Sequence, residues 1–138
     1  IVASQNGPTE QTDQKSGQLE TIKAKIKQRI QDPDLTLDSI ASSNKISLRY
    51  LHWLFEGSGM TAWQFICEER LAGCKRDLAN PSCNNANIFE IGLRWGFGNA
   101  AHFSRKFKSV TQMSPSDFRA MAASPLVATV KAANIQPQ

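Results

Sequence analysis

No apolar run in this sequence approaches the ~18 residues that a membrane-spanning helix requires, which argues against a membrane protein. No stretch alternates apolar and polar residues over the length of a strand, so the main signal of a β-sheet is missing. The three cysteines, Cys67, Cys74 and Cys83, have no paired spacing, and the two histidines have no further ligands nearby. We therefore expect free thiols in a reducing cytoplasm, no metal and no cofactor.

Negative charge is in modest deficit. The 16 Lys and Arg residues exceed the 12 Asp and Glu residues, which gives a net charge of +4 in 138 residues. A basic excess favours a nucleic-acid partner without establishing one. The length is sufficient for one compact domain with its own core. No nucleophile, base and orienting group occur at related spacings, so we do not expect an enzyme.

The two ends of the chain differ in composition from its middle. Residues 1–17 are polar and aperiodic, and we predict a disordered linker or arm there. Residues 123–138 lack clear periodicity and are predicted to form a C-terminal tail. The chain begins at Ile1 rather than at a methionine, which indicates a fragment of a longer protein. The folded domain is predicted to comprise residues 18–122.

Helix-start signals recur along this domain and predict an all-α fold of about seven helices. The first helix carries an apolar stripe formed by Leu19, Ile22, Ile26 and Ile30. Cap residues or capping boxes precede the later helices at Thr36, Ser47, Thr61, Asn87 and Ser114. The helix after Thr61 is predicted to extend to about Ala79, with its apolar positions at Trp63, Ile66, Leu71 and Leu78.

Two segments of the domain repeat one pattern of apolar residues. The first copy places Ile40 and Ala41 before a cap at Ser47, and the second places Ile91 and Gly92 before a cap at Asn99. In both copies, apolar residues follow four and eight positions after the cap. The pattern is that of a short helix, a tight turn and a second helix, as in a helix-turn-helix unit. Any hairpin of two helices shares much of it.

The turn between the two helices requires a residue that tolerates a positive φ angle. Gly96 meets this requirement in the second copy. Lys45 stands at the matching position of the first copy, so that turn is predicted to be either slightly strained or differently shaped.

The segment IFEIGLRWGFGNAAHFSRKFKSVTQMSPSDFR is similar to the signature of one family, the DNA-binding domain of the AraC/XylS transcriptional regulators. The shared features are the Gly-Phe turn, the aromatic-Phe pair, the Phe-Lys pair and the final Pro-x-x-aromatic-Arg. The segment SLRYLHWLFEGSGMTAWQFICEERL resembles the first reading helix and the linker helix of that family. The resemblance extends from about Gly17 to Met121, and the chain departs from the family pattern at Lys45, Gly92 and Gln112.

The resemblance implies two helix-turn-helix units, joined by a long linker helix, that read two successive major grooves. Arg49 and Trp53 lie four residues apart, opposite the apolar side of the first reading helix. The candidates for reading bases are Arg49, His52, Trp53, Ala100, Ala101, Ser104 and Arg105. The candidates for contacting phosphates are Ser47, Arg94, Asn99, His102, Lys106 and Lys108. Arg119 is predicted to tie the last helix to the body of the domain.

The function expected from the sequence is sequence-specific binding of double-stranded DNA by a bacterial transcription regulator, with an activator preferred. The alternative is a helical protein–protein module whose basic face meets an acidic partner. By resemblance, further partners are RNA polymerase and an effector-binding or dimerisation domain that lies outside this sequence. The location expected is the cytoplasm, on the nucleoid when the protein is bound to DNA.

Overall fold

The computed structural model describes residues 8–123, with side chains from residue 13 onward. This part of the chain contains seven α-helices and no strand, which confirms the predicted fold class. The helices are α1 (Pro8–Gln28), α2 (Leu37–Ser43), α3 (Leu48–Phe55), α4 (Ala62–Ala79), α5 (Ile88–Arg94), α6 (Ala100–Thr111) and α7 (Pro115–Ala122). A short 3₁₀ turn, Pro81–Cys83, follows α4. The predicted tail lies outside the described residues, apart from Ala123.

The predicted caps begin the helices as expected. The hydroxyl of Thr36 accepts a hydrogen bond from the Ser39 amide, and the Ser39 hydroxyl accepts one from the Thr36 amide, which completes a capping box. Capping boxes also join Thr61 to Gln64 and Asn87 to Glu90. These bonds satisfy amide groups that lack acceptors inside the helix.

Helix α1 is longer than predicted. It begins at Pro8, so the predicted linker is wrong as a description of residues 8–17, while residues 1–7 lie outside the described part of the chain. Proline is favoured in the first helical turn, where its missing amide costs no hydrogen bond. The sequence of residues 8–17 contains no large apolar residue, so it lacks the apolar periodicity that marks a helix in a sequence.

The chain divides into two compact units, and the boundary falls inside α4, between Glu69 and Arg70. The first unit buries three members of the predicted stripe, Ile22 and Ile26 of α1 and Ile30 just after its end, whereas Leu19 is half-buried. Its core also contains the inner faces of α2 and α3. The Phe55 ring lies against that of Phe65, with 6.0 Å between ring centroids.

The core of the second unit is built around aromatic rings. Its fully or nearly buried members are Leu71, Cys74, Leu78, Ile91, Phe97, Phe103 and Phe107. The Phe107 ring meets Phe118 of α7 edge to face at 5.5 Å. Arg119 donates a hydrogen bond to the carbonyl oxygen of Ala86 at 2.8 Å, so it ties α7 to the loop before α5, as predicted.

The apolar side of α4 differs from the prediction at one residue. Ile66, Leu71 and Leu78 are buried, but Trp63 is 42% exposed. Ala62 is fully buried at the start of the helix, and Trp63 points about 100° further around the axis, away from the core.

No helix of the described residues is both long enough and apolar enough to cross a bilayer.

Candidate nucleic-acid interface

The two predicted helix-turn-helix units have the same main-chain geometry at their turns. In the first, the amide of Ile46 donates to the carbonyl oxygen of Ala41 at 3.0 Å. In the second, the amide of Phe97 donates to the carbonyl oxygen of Gly92, also at 3.0 Å. The near-repeat seen in the sequence is therefore a repeat of the fold.

Both turns place their central residue at a positive φ angle. Gly96 has a φ of +93° and Lys45 a φ of +58°. The lysine thus adopts a left-handed conformation that costs a non-glycine residue roughly 1–2 kcal/mol. Of the two predicted possibilities for the first turn, strain is the one found, because the turn keeps the hydrogen bond of its glycine counterpart.

Gly92 gives the second unit a close approach between its two helices. A Cβ on Gly92 would stand 2.9 Å from Cδ2 of Phe103, so the phenyl ring occupies the space that a side chain would need. The departure from the family pattern at Gly92 therefore leaves the turn unchanged and gives room to a large core residue.

Helix α3 separates its buried face from its exposed face cleanly. Leu51, Leu54 and Phe55 are buried. Arg49 and His52 are exposed on the other side, and Arg49 makes no ion pair within the described part of the chain. An unpaired guanidinium in the first turn of an exposed helix face is free to meet an external acceptor.

Trp53 lies on the same helix but is not isolated. It is 41% exposed, its ring lies 5.3 Å from that of Tyr50, and the Lys15 ammonium stands 4.5 Å from the ring centroid. Lys15 belongs to α1, in the segment that the sequence assigned to a linker. One sequence signal could have found it, because Lys15 extends the stripe of Leu19 and Ile22 by one further turn.

Helix α6 has the same two-sided character. Phe103 and Phe107 are buried, while Ala100, Ala101, His102, Ser104, Arg105 and Lys108 are exposed, and Lys106 is partly buried. The His102 ring stands 6.1 Å from that of Phe97, at the edge of the core. The exposed face thus combines two small apolar residues at its start with cations further along.

Helices α3 and α6 begin in the same way. Ser47 accepts a hydrogen bond from the Tyr50 amide, and Asn99 accepts one from the His102 amide, each at 3.0 Å. Both cap residues are exposed. The cap side chains are therefore engaged within their own helices, and the helix starts, which carry the positive ends of the helix dipoles, lie at the surface.

Arg94 is held within the second unit. Its guanidinium donates to the Asp77 carboxylate at 3.0 Å and to the Cys83 sulfur at 3.7 Å. These hydrogen bonds, with the Cys83 bond the larger cause, raise the pKa of Arg94 above its ordinary value. A phosphate contact by Arg94, predicted from the sequence, would have to share this side chain with Asp77.

None of the three cysteines forms a disulfide bond within the described part of the chain, in agreement with the predicted thiols. Cys67 and Cys74 are buried in their cores, and Cys83 is partly buried. Burial, with a smaller effect of Asp77, raises the pKa of the Cys74 thiol to about 12. Among the described residues, no group of three or more His, Cys, Asp or Glu side chains could hold a metal ion.

Comparison with known proteins relates this arrangement to a single family. A family described as a helix-turn-helix domain matches residues 40–121, more than half of the chain. The transcriptional activator NphR of a Rhodococcus species is 34% identical over 101 residues, which cover 73% of this chain and 29% of NphR. The transcriptional activator RhrA of Rhizobium meliloti is 24% identical over 123 residues, covering 89% of this chain and 39% of RhrA.

A solved structure agrees with these relatives. The AraC-type regulator from Chromobacterium violaceum has a TM-score of 0.66 and 26% sequence identity, with 84% of this chain and 98% of that chain covered. The chain spans less than half the length of NphR and of RhrA. On the family match, the relatives and the shared double-turn geometry, the chain belongs to the AraC/XylS family as a DNA-binding domain of the AraC type.

Proposed function

We propose that this domain reads double-stranded DNA by sequence, as the DNA-binding part of a bacterial transcription activator. The observation that carries the proposal is the repeated turn, which presents two helices with buried apolar faces and exposed polar or basic faces. An exposed helix of this kind fits the major groove of B-DNA, where base pairs present distinguishable donors and acceptors. The names of the relatives support the activator function.

In this proposal, α3 carries most of the direct base reading. Arg49 offers a planar pair of donors that matches the O6 and N7 acceptors of guanine. His52 and Trp53, one turn further along, extend the contact to neighbouring bases. The absence of an intramolecular ion pair at Arg49 within the described residues supports this assignment.

Helix α6 contributes fewer base contacts and more attraction to phosphates. Ala100 and Ala101 offer only apolar contact, which suits the methyl group of thymine. Ser104 and Arg105 can reach base edges. Phosphate contacts are assigned to the remaining polar groups around the two helix starts and along α6, namely Ser47, Arg94, Asn99, His102, Lys106 and Lys108.

The two helix-turn-helix units are proposed to occupy successive major grooves, whose centres are separated by about 34–36 Å along the duplex. Selection of bound sites from a random duplex library tests this proposal and gives the recognition sequence at once. We expect two enriched blocks about 10 base pairs apart, with stronger enrichment in the block read by α3. No enrichment above the starting library would reject sequence reading.

The alternative, a protein–protein module, predicts a different result when the binding of the domain to duplex DNA is measured over a salt series. A domain that reads DNA binds duplexes more weakly as salt rises, because phosphate contacts release counterions. Duplex binding that is absent at low salt would favour an acidic protein partner.

For the whole protein, we propose RNA polymerase as a further partner, effector binding or dimerisation outside this domain, a cytoplasmic location and no catalysis by the domain itself.

A further inference from the structure

Lys15 of α1 contacts the first reading helix at two points. Its ammonium lies 4.5 Å from the centroid of the Trp53 ring. The same nitrogen donates a hydrogen bond to the carbonyl oxygen of Glu56 at 3.0 Å, and Glu56 is the C-cap of α3. One side chain thus bridges an exposed indole and the end of the helix that carries it.

A second contact from α1 supports the same indole indirectly. The Tyr50 hydroxyl donates a hydrogen bond to the Gln18 side-chain oxygen. The Tyr50 ring in turn packs against Trp53, with 5.3 Å between centroids. Lys15 and Gln18 are three residues apart, so they lie on one side of α1 and address both aromatic rings of α3.

We propose that Lys15 is a positioning residue that fixes the orientation of Trp53 for base reading. An exposed indole samples several rotamers, and a ligand that needs one of them binds more weakly by the fraction of time spent in the others. The ammonium favours the rotamer in which the ring lies beneath it. A cation over an exposed aromatic ring changes an equilibrium by about two- to fivefold.

This inference rests on the proposed function but makes a separate claim about Lys15. A lysine that only attracts DNA strengthens the binding of every sequence alike and steepens the salt dependence, so its removal weakens all duplexes equally. A lysine that orients Trp53 changes the preference among bases instead. The two roles are distinguishable because the first acts without Trp53 and the second acts through it.

The experiment measures binding of the full chain to its selected duplex, to single-base variants of that duplex and to a scrambled duplex. The variants are Lys15→Met, Lys15→Arg, Trp53→Ala and the double variant of Lys15→Met with Trp53→Ala. Lys25→Met is the matched control, because Lys25 is an exposed lysine of the same helix whose ammonium does not stand over an aromatic ring of the described residues.

We expect Lys15→Met to lower the preference for the selected duplex over single-base variants by about two- to fivefold. Lys15→Arg and Lys25→Met should keep this preference, and Lys15→Met should have no further effect when Trp53 is already alanine. Equal weakening of selected and scrambled duplexes, or an undiminished effect of Lys15→Met in the Trp53→Ala background, would overturn the inference.

A readout without DNA separates failure of this inference from failure of the proposed function. The indole emission assigned to Trp53, obtained as the difference from Trp53→Phe, should become more accessible to acrylamide in Lys15→Met and remain unchanged in Lys25→Met. An unchanged accessibility in Lys15→Met would overturn the positioning role even if DNA is read. A wild-type chain that does not discriminate between duplexes would instead reject the proposed function.

Discussion

The Trp95 indole occupies the space beside Gly73 so fully that a Cβ on the glycine would lie 2.4 Å from two of its ring atoms. The same indole donates a hydrogen bond to the Asp77 carboxylate at 2.7 Å, one turn further along α4. Trp95, the C-cap of α5, therefore packs against α4 at the point where Gly73 has no side chain. Its hydrogen bond to Asp77 holds it on the same face of α4.

The packing of Trp95 leaves no room for a side chain at Gly73. Gly73→Ala should destabilise the protein by about 1–3 kcal/mol, because the indole must move and its bond to Asp77 must weaken. Gly17→Ala is the control, since Gly17 is also within a helix but a Cβ there meets nothing within 4 Å. It should stabilise α1 by up to about 1 kcal/mol. Urea denaturation of both variants checks the opposite signs, and a neutral Gly73→Ala would contradict the packing described.

The left-handed residue after α6 predicts a gain in stability. Gln112 is the C-cap of α6 and has a φ of +68°, a conformation that glycine adopts without strain. We expect Gln112→Gly to be more stable than Gln112→Ala by about 1 kcal/mol. Both variants lose the side-chain bond to the Ser109 carbonyl, so their difference in free energy of unfolding isolates the backbone. Equal stabilities would show that the turn relaxes without cost.

The buried thiol of Cys74 predicts a loss of stability in alkali. Its pKa is about 12 in the folded chain, against 9.0 for an unperturbed thiol. Because the folded value is higher, this group's contribution is complete below pH 9.0 and is lost as the pH rises toward 12. The slope is about 1.4 kcal/mol per pH unit.

Denaturation curves of the wild type and of Cys74→Ala between pH 8 and about 10.5 measure this slope by difference. The variant should lose stability less steeply above pH 9.0, although its absolute stability is lower because a core atom is removed. Parallel pH profiles would mean that the thiol is not buried in solution.

At neutral pH, alkylation of the native protein should modify Cys83 before Cys67 or Cys74.

The unequal faces of α3 and α6 predict unequal effects of removing one cation from each. Arg49→Ala should cost roughly 1–3 kcal/mol on the selected duplex and relax the preference at one base position. Lys108→Ala should weaken selected and scrambled duplexes alike and reduce the salt slope by about one unit. Binding titrations over a salt series measure both quantities. Should Arg49→Ala weaken both duplexes equally, Arg49 contacts a phosphate and the asymmetry fails.

Local features of the structure were predictable from the sequence because their causes are local. A cap such as Ser47 or Asn99 acts on an amide three residues away, so its spacing is visible in the sequence. The apolar spacing after each cap predicted the buried Phe103 and Phe107 in the same way. The positive φ of Gly96 follows from the position of a tight turn.

Features that join distant segments were not predictable. The packing of Trp95 on Gly73 joins residues 22 positions apart, and no pattern in either segment predicts this contact. The exposure of Trp63 depends on which side of α4 meets the core, and its apolar character suggested the wrong side. The contact of Lys15 with Trp53 joins a polar segment to a helix nearly 40 residues later, and the spacing of Lys15 from Leu19 and Ile22 could place it on the inner side of α1 but not against Trp53.

The two turn hydrogen bonds, from Ile46 to Ala41 and from Phe97 to Gly92, use main-chain atoms alone. Substitution of the outward side chains of α3 does not touch the first bond, and substitution on α6 does not touch the second. The two helices of one chain can therefore diverge independently while each keeps its fold. A palindromic operator reflects two identical subunits, whereas two unlike helices on one chain call for an operator with two unlike ends. If α3 and α6 read DNA as proposed, such a site has a direction along the duplex, and we expect the bound domain to face one way only.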